Sequence, residues 1–248
     1  MIRGWLSRSH SGLREIAALV VLYGIYEVIR GAGGENVTAA MRHTDEIVRL
    51  EQRFGFYVER GVQAAVEAVP LAPTVLGLAY VLFHFAGTAA LLVWVHRRHP
   101  NRFPIVRTTF VVATGLALVG YVLYPAAPPR LAELGFSDTV TSETGLDLSS
   151  DLLGALYNPF AAVPSLHFGY AVIVGVVLAT IAKTRLVRVV GAVYPTVMLV
   201  VIVGTGNHFI FDAALGGLVV AAGWAVARMV VAPPAESAGR LVTSGSRA

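Results

Sequence analysis

The 248-residue chain contains no cysteine. That excludes a disulfide scaffold, a thiolate zinc site and a thiol nucleophile. Charge is scarce too: 14% of residues are Asp, Glu, Lys or Arg, against about 25% in soluble domains. Lysine is nearly missing, since Lys183 is the one lysine among 19 basic residues. The formal net charge is only +4 and the bases form no single run, which argues against a nucleic-acid partner despite a pI near 9.6. Glycine-rich dinucleotide and P-loop patterns are absent, so no nucleotide cofactor is expected. No internal repeat is visible.

Apolar residues are what the chain has in excess. They make up 56% of it, and the mean hydropathy is +0.68, too apolar for a water-soluble monomer. Six stretches approach the roughly 20 apolar residues that cross a hydrocarbon core: near 13–31, 71–96, 104–124, 163–182, 187–206 and 208–229. The expected fold is all-α, a polytopic membrane protein built as a six-transmembrane-helix bundle. The first stretch carries Glu27 and Arg30 near its end, and a secretory leader is the alternative reading for it.

Basic residues set the direction. Arg3, Arg8 and Arg14, then Arg97, Arg98, Arg102 and Arg107, then Lys183, Arg185 and Arg188, then Arg228, Arg240 and Arg247 fall on one side of a six-span bundle. The positive-inside rule makes that side cytoplasmic, in the plasma (inner) membrane, with both termini inside. The opposite loop, 125–162, has Arg130 against Glu133, Asp138, Glu143, Asp147 and Asp151. Residues 1–232 are expected to form one transmembrane catalytic domain, and 233–248 a disordered cytoplasmic tail.

Residues 36–69 alternate charged and apolar positions at near-helical spacing. This is the pattern of one or two amphipathic helices in the outer interface, broken near Gly55. They read either as a solvated cap over the bundle or as a lid that helps admit a lipid.

Ionisable groups at span ends invite functional readings, and three clusters stand out, all on the outer side. In Tyr157-Asn158-Pro159-Phe160-Ala161-Ala162-Val163-Pro164-Ser165-Leu166-His167, Pro164 suits a first helical position. The helix start near Ser165 and His167 is then a ready anion site, although Ser165 alone also reads as a simple cap. In Gly206-Asn207-His208-Phe209-Ile210-Phe211-Asp212, His208 and Asp212 stand at i and i+4. They are expected on one helix face, the carboxylate fixing the imidazole tautomer and leaving the other nitrogen nucleophilic. In Tyr124-Pro125-Ala126-Ala127-Pro128-Pro129-Arg130, a stiff loop holds a guanidinium suited to phosphate. Asn158 and Asn207 flank the two histidine motifs and read as phosphate-orienting or capping residues. His84 lies mid-span and reads as a structural hydrogen-bonding residue or a catalytic one. His96 and His99 lie on the cytoplasmic side.

Two histidines, an aspartate, an arginine and a helix start suit phosphoryl transfer through a phosphohistidine. A His–Asp metal site is the competing use, and no metal is expected. Pro164-Ser165-x-His167 and His208-x3-Asp212 resemble the second and third signature motifs of the type 2 phosphatidic acid phosphatase superfamily. YPxxPPR, NPxAAxPSLH and NHxxxD resemble its inositol phosphorylceramide synthase-like branch, over roughly residues 40–229. The resemblance implies six spans and an outward active site. It also implies His208 as nucleophile, Asp212 as its orienting partner and His167 as general acid and then base, with Ser165 and Arg130 as phosphate ligands. The Lys-x6-Arg-Pro motif of the wider family is missing, and Ile202 stands where that family has an arginine, as in the synthase-like branch. The implied activity is a metal-independent lipid phosphatase or phosphotransferase. Its substrate would be a lipid-borne phosphate (phospholipid, phosphoinositol lipid or polyprenyl phosphate), with water or a polyol as acceptor. A non-catalytic transporter or scaffold is the alternative, though the repeat-related broken spans of transporters are not visible.

Overall fold

The computed structural model of the protein describes residues 36–145 and 158–231, together with Val21 and Gly24. Apart from those two residues the stretch near 13–31 lies outside the described residues, as do the loop residues 146–157 and the tail 233–248. Among the described residues the structure is helical, with one isolated bridge between Ala126 and Ala161.

Helix α1 (Val37–Phe54) starts where the Asn36 side chain accepts the Ala39 amide at 2.9 Å and stops at Gly55, whose φ is 73°. Its buried positions are Ala40, Thr44, Ile47, Val48 and Glu51, one stripe of an amphipathic helix. Helix α2 (Glu59–Glu67) is shorter and buries Glu59 and Gln63. Helix α3 runs Ala72–Arg98, with a π-helical turn over Phe83–Gly87. Then come α4 (Phe103–Leu123), the short α5 (Thr139–Thr144), α6 (Leu166–Ile181), α7 (Arg185–Gly204) and α8 (Ile210–Val230).

Four of these, α3, α4, α7 and α8, are long and apolar enough to cross a bilayer, while α6 is apolar but has 16 residues. The chain is thus an integral membrane protein. Five of the six expected spans have an apolar helix in place, and that expected over 163–182 begins later, at Leu166. The reason is local: Pro164 precedes the cap instead of opening the helix, and Ser165 is the cap.

Glycines set how closely the spans approach. A side chain at Gly175 would meet the Gly191 carbonyl at 2.7 Å, so α6 and α7 lie backbone to backbone. At Gly216 a Cβ would collide with the Ser165 carbonyl, which holds α8 against the start of α6. The core follows these contacts. Leu91, Val95, Phe110, Ile173, Val177 and Val220 join α3, α4, α6 and α8 at mid-bundle. Toward the end that carries Ser165 and Phe209, a second set (Ile47, Val48, Ala126, Val163, Phe209) attaches α1 to the loops.

The α1–α2 segment is stitched down by polar bonds too. Thr44 Oγ1 donates to the Ala127 carbonyl at 3.0 Å and accepts its amide at 2.9 Å. Gln63 pairs with both backbone groups of Ser137 at 2.9 and 3.0 Å, and Arg60 donates to Leu134 O at 2.7 Å.

Candidate active site

The reactive geometry begins with a glycine. α7 ends at Gly204, and Gly206 adopts φ 69°, a conformation that favours glycine. A Cβ at Gly206 would also meet Gln63 Nε2 at 2.9 Å. This turn lets the amides of Asn207 and His208 both reach the Ile202 carbonyl, at 3.0 and 3.1 Å, and so aims His208.

His208 Nδ1 lies 3.2 Å from Asp212 Oδ2, with His208 nearly buried and Asp212 fully so. The expected pair is present, but not on one helix face. α8 starts at Ile210, so His208 stands before the cap residue Phe209. Asp212 bends back to accept the Phe209 amide at 2.9 Å, and that capping geometry brings its carboxylate to the histidine. In the tautomer with Nδ1 protonated, Asp212 accepts from the ring and Nε2 keeps its lone pair.

His167 opens α6 nearby, its ring centroid 5.7 Å from that of His208. Its ring is sandwiched between Tyr80 at 4.0 Å and His84 at 3.9 Å. The π-helical turn of α3 delivers His84 to this place, and Tyr194 donates to the Phe83 carbonyl of that turn at 3.3 Å. His84 Nδ1 is buried without a hydrogen-bond partner, so at that atom stacking on His167 takes the place of the structural hydrogen bond weighed for it.

Ser165 is buried, and its Oγ accepts the Phe168 amide at 3.3 Å as a helix cap. Its own amide donates to the Asp212 carbonyl at 2.9 Å, joining the two histidine motifs directly.

Arg130 is held from two sides: Nε donates to Asn207 Oδ1 at 2.8 Å and Nη1 to Asp138 Oδ2 at 3.1 Å. Its amide donates to Gly206 O at 2.9 Å. Asn207, whose Nδ2 donates to Thr205 Oγ1 at 2.9 Å, therefore orients the arginine beside His208. Asn158 accepts the Phe160 amide at 2.9 Å within its own turn. It lies in the loop leading to α6.

Two carboxylates that sequence reading left on a solvated segment are also here. Glu51 Oε1 accepts the Phe211 amide at 2.8 Å and Glu59 Oε1 accepts the Ile210 amide at 2.9 Å, both side chains fully buried. Glu51 had a legible signal, since it continues the apolar stripe of α1 at i+4 from Ile47. Burial, with Glu59 and Asp212 adding like charge, pushes the Glu51 carboxyl up to about 9.

A groove of about 1250 Å³ between α3, α6 and α7 runs from Phe83 to Arg98 and Lys183. His167, His208 and Asp212 are not among the residues that line it. A smaller apolar groove of about 450 Å³ passes Tyr124, Pro164, Phe211 and Leu215, next to the first turn of α8.

Residues 45–227, well over half of the chain, match the PAP2 superfamily. The chain belongs to the PAP2 superfamily. A phosphoinositol dihydroceramide synthase of Bacteroides thetaiotaomicron is 34% identical over 140 residues, covering 50% of this chain and 44% of that relative. The match thus spans less than half of the relative's length. No solved structure matches. The superfamily match contains His167, His208, Asp212, Arg130 and both buried glutamates, and the relative's kind is that of the inositol phosphorylceramide synthase-like branch. A membrane protein of the PAP2 superfamily is the reading common to these findings.

Proposed function

We propose that the protein transfers or releases a phosphoryl or phosphoinositol group from a lipid-borne phosphate through a phosphohistidine on His208. His208 Nε2 attacks phosphorus, the bond to the leaving oxygen breaks, and His167 supplies that oxygen's proton. His167, now a base, takes a proton from water or a polyol hydroxyl. That oxygen attacks phosphorus, the P–N bond breaks and His208 is restored. Asp212 holds the ring and balances its developing positive charge. Arg130 and the start of α6, with Ser165, stabilise the equatorial oxygens, so no metal is required.

The observation that carries this reading is the His208–Asp212 bond of 3.2 Å with His167 alongside. The name of the Bacteroides relative favours inositol lipid chemistry. The basic-residue asymmetry supports an outward, extracytoplasmic position for this end of the bundle. There α1–α2 would cover the site in the outer interface, and water competes with an alcohol acceptor.

The test uses purified protein with a panel of radiolabelled lipid phosphates, with and without inositol, separating released phosphate from new lipid. Acid-labile, base-stable label on His208 is expected after quenching. Label retained by His208→Ala would place the nucleophile elsewhere. Cysteines introduced at 131–145 should react with an impermeant reagent in intact cells. Those at 97–102 should react only after lysis, and equal labelling would overturn the outward site.

A further inference from the structure

Three carboxyl groups converge on the first turn of α8. Asp212 takes the Phe209 amide, Glu59 the Ile210 amide and Glu51 the Phe211 amide, at 2.9, 2.9 and 2.8 Å. All three side chains are fully buried, and each keeps one oxygen without a partner: Asp212 Oδ1, Glu59 Oε2 and Glu51 Oε2. One short side chain usually suffices to cap a helix start. Here two of the three acceptors come from separate helices about 150 residues earlier in the chain.

Burying carboxyls is costly unless they are neutralised or well bonded. Helix amides and the positive end of α8 offset part of that cost. A proton held by Glu51, whose carboxyl burial pushes up to about 9, offsets more. Capping alone does not require this arrangement, because Asp212 already supplies a local cap. What the two glutamates add is rigidity of a particular turn from outside it. That turn carries Asp212 and follows His208 directly, so its position sets the 3.2 Å bond between them.

We propose that Glu51 and Glu59 are positioning residues that clamp the first turn of α8 and keep His208 and Asp212 aligned for reaction. This rests on the reading that His208 is the nucleophile. It makes α1–α2 part of the catalytic frame, beyond a cap or a lid. Near-attack geometry is sensitive: a displacement of about 1 Å can lower a rate by about 100-fold.

The test compares Asp and Gln at each position in the full chain, on a lipid phosphate that the wild type turns over. Asp keeps the carboxyl group but withdraws the acceptor by one methylene. Gln keeps the length, an acceptor oxygen for the amide and a donor for the neighbouring carboxyl. Glu51→Asp and Glu59→Asp are expected to lower kcat by about tenfold or more with KM changed less than about twofold. Their Ile210 and Phe211 amides should exchange hydrogen faster. Glu51→Gln is expected to recover most of the kcat that Glu51→Asp loses. Asp variants with wild-type kcat, or Asp variants more active than Gln, would overturn the proposal. So would unchanged amide exchange in all variants, including any too impaired to assay. His208→Ala separates the two levels. If it is inactive while the Asp variants are fully active, only the clamp is wrong. If it turns over normally, the underlying reading is wrong.

Discussion

Two helices start side by side in this site, and they are finished in opposite ways. α6 begins with one hydroxyl, Ser165 Oγ on the Phe168 amide at 3.3 Å. The amides of Leu166 and His167 belong to the class that an α-helix leaves without an intrahelical partner. α8 begins with the amides of Phe209, Ile210 and Phe211 each taken by a carboxylate oxygen. The two starts touch, since Ser165 donates to the Asp212 carbonyl. A positive helix end attracts phosphate only where its amides are still open. The α6 start therefore suits the substrate anion, and the α8 start is committed to holding its own residues.

Removing the proposed nucleophile tests the α8 side most severely. His208→Ala should lower turnover by at least about 10⁴-fold, because no covalent route survives. Single-turnover measurements with labelled substrate check this, and near wild-type turnover would contradict it. Asp212→Asn should be less severe, a loss of about 10²- to 10⁴-fold, because the ring loses its tautomer and charge partner but keeps its nucleophilic atom. Its kcat should stay measurably above that of His208→Ala. Equal silence in the two variants would mean that Asp212 does more than orient.

The chemistry-bearing residues were legible in the sequence where short spacing encodes them. His208 and Asp212 are four residues apart, and a local turn is enough to join them. Arg130 and His167 were legible as polar groups at the ends of apolar stretches. The pairing mode was not. Spacing i to i+4 implies a shared helix face, whereas Phe209 is the cap and Asp212 folds back onto it. The partners of Glu51 and Glu59 escaped because they are 160 and 151 residues away, although Glu51 stands in the apolar stripe of α1. His84 reached His167 through a π-helical turn, which hydrophobic periodicity does not register.

The buried carboxyls also predict a pH dependence of stability. Glu51 faces Glu59 from α2 and Asp212 from α8, with Tyr57 also nearby. Its carboxyl titrates near 9 when folded, against 4.5 ordinarily. Between those values the folded chain holds a proton that the unfolded chain releases, so this group's contribution is complete below about 4.5 and fades as pH rises toward about 9. Glutamine does not titrate. Glu51→Gln should therefore match the wild type in melting temperature near pH 4.5 and exceed it increasingly toward pH 9, by roughly 2–4 °C per kcal/mol of linkage. Parallel melting curves across that range would mean that Glu51 is ionised in the folded protein.

The α6 side gives the smallest effect and the sharpest distinction. Ser165 Oγ accepts one amide, and its own proton can turn toward a bound phosphate. A serine that only caps loses about 1 kcal/mol of stability on conversion to alanine, with little change in rate. A serine that also donates to the phosphate loses a further charge-assisted hydrogen bond, about 1.5–3 kcal/mol, in transition-state binding. Ser165→Ala should then lower kcat/KM by roughly 10- to 100-fold beyond any loss of folded protein, and Ser165→Thr should restore part of it because the hydroxyl returns. Gly216 packs on the Ser165 carbonyl and not on its hydroxyl, so alanine leaves the approach of α6 to α8 intact. A variant with lowered melting temperature but wild-type kcat/KM would reduce Ser165 to a cap. The open amides of α6 would then hold the phosphate without it.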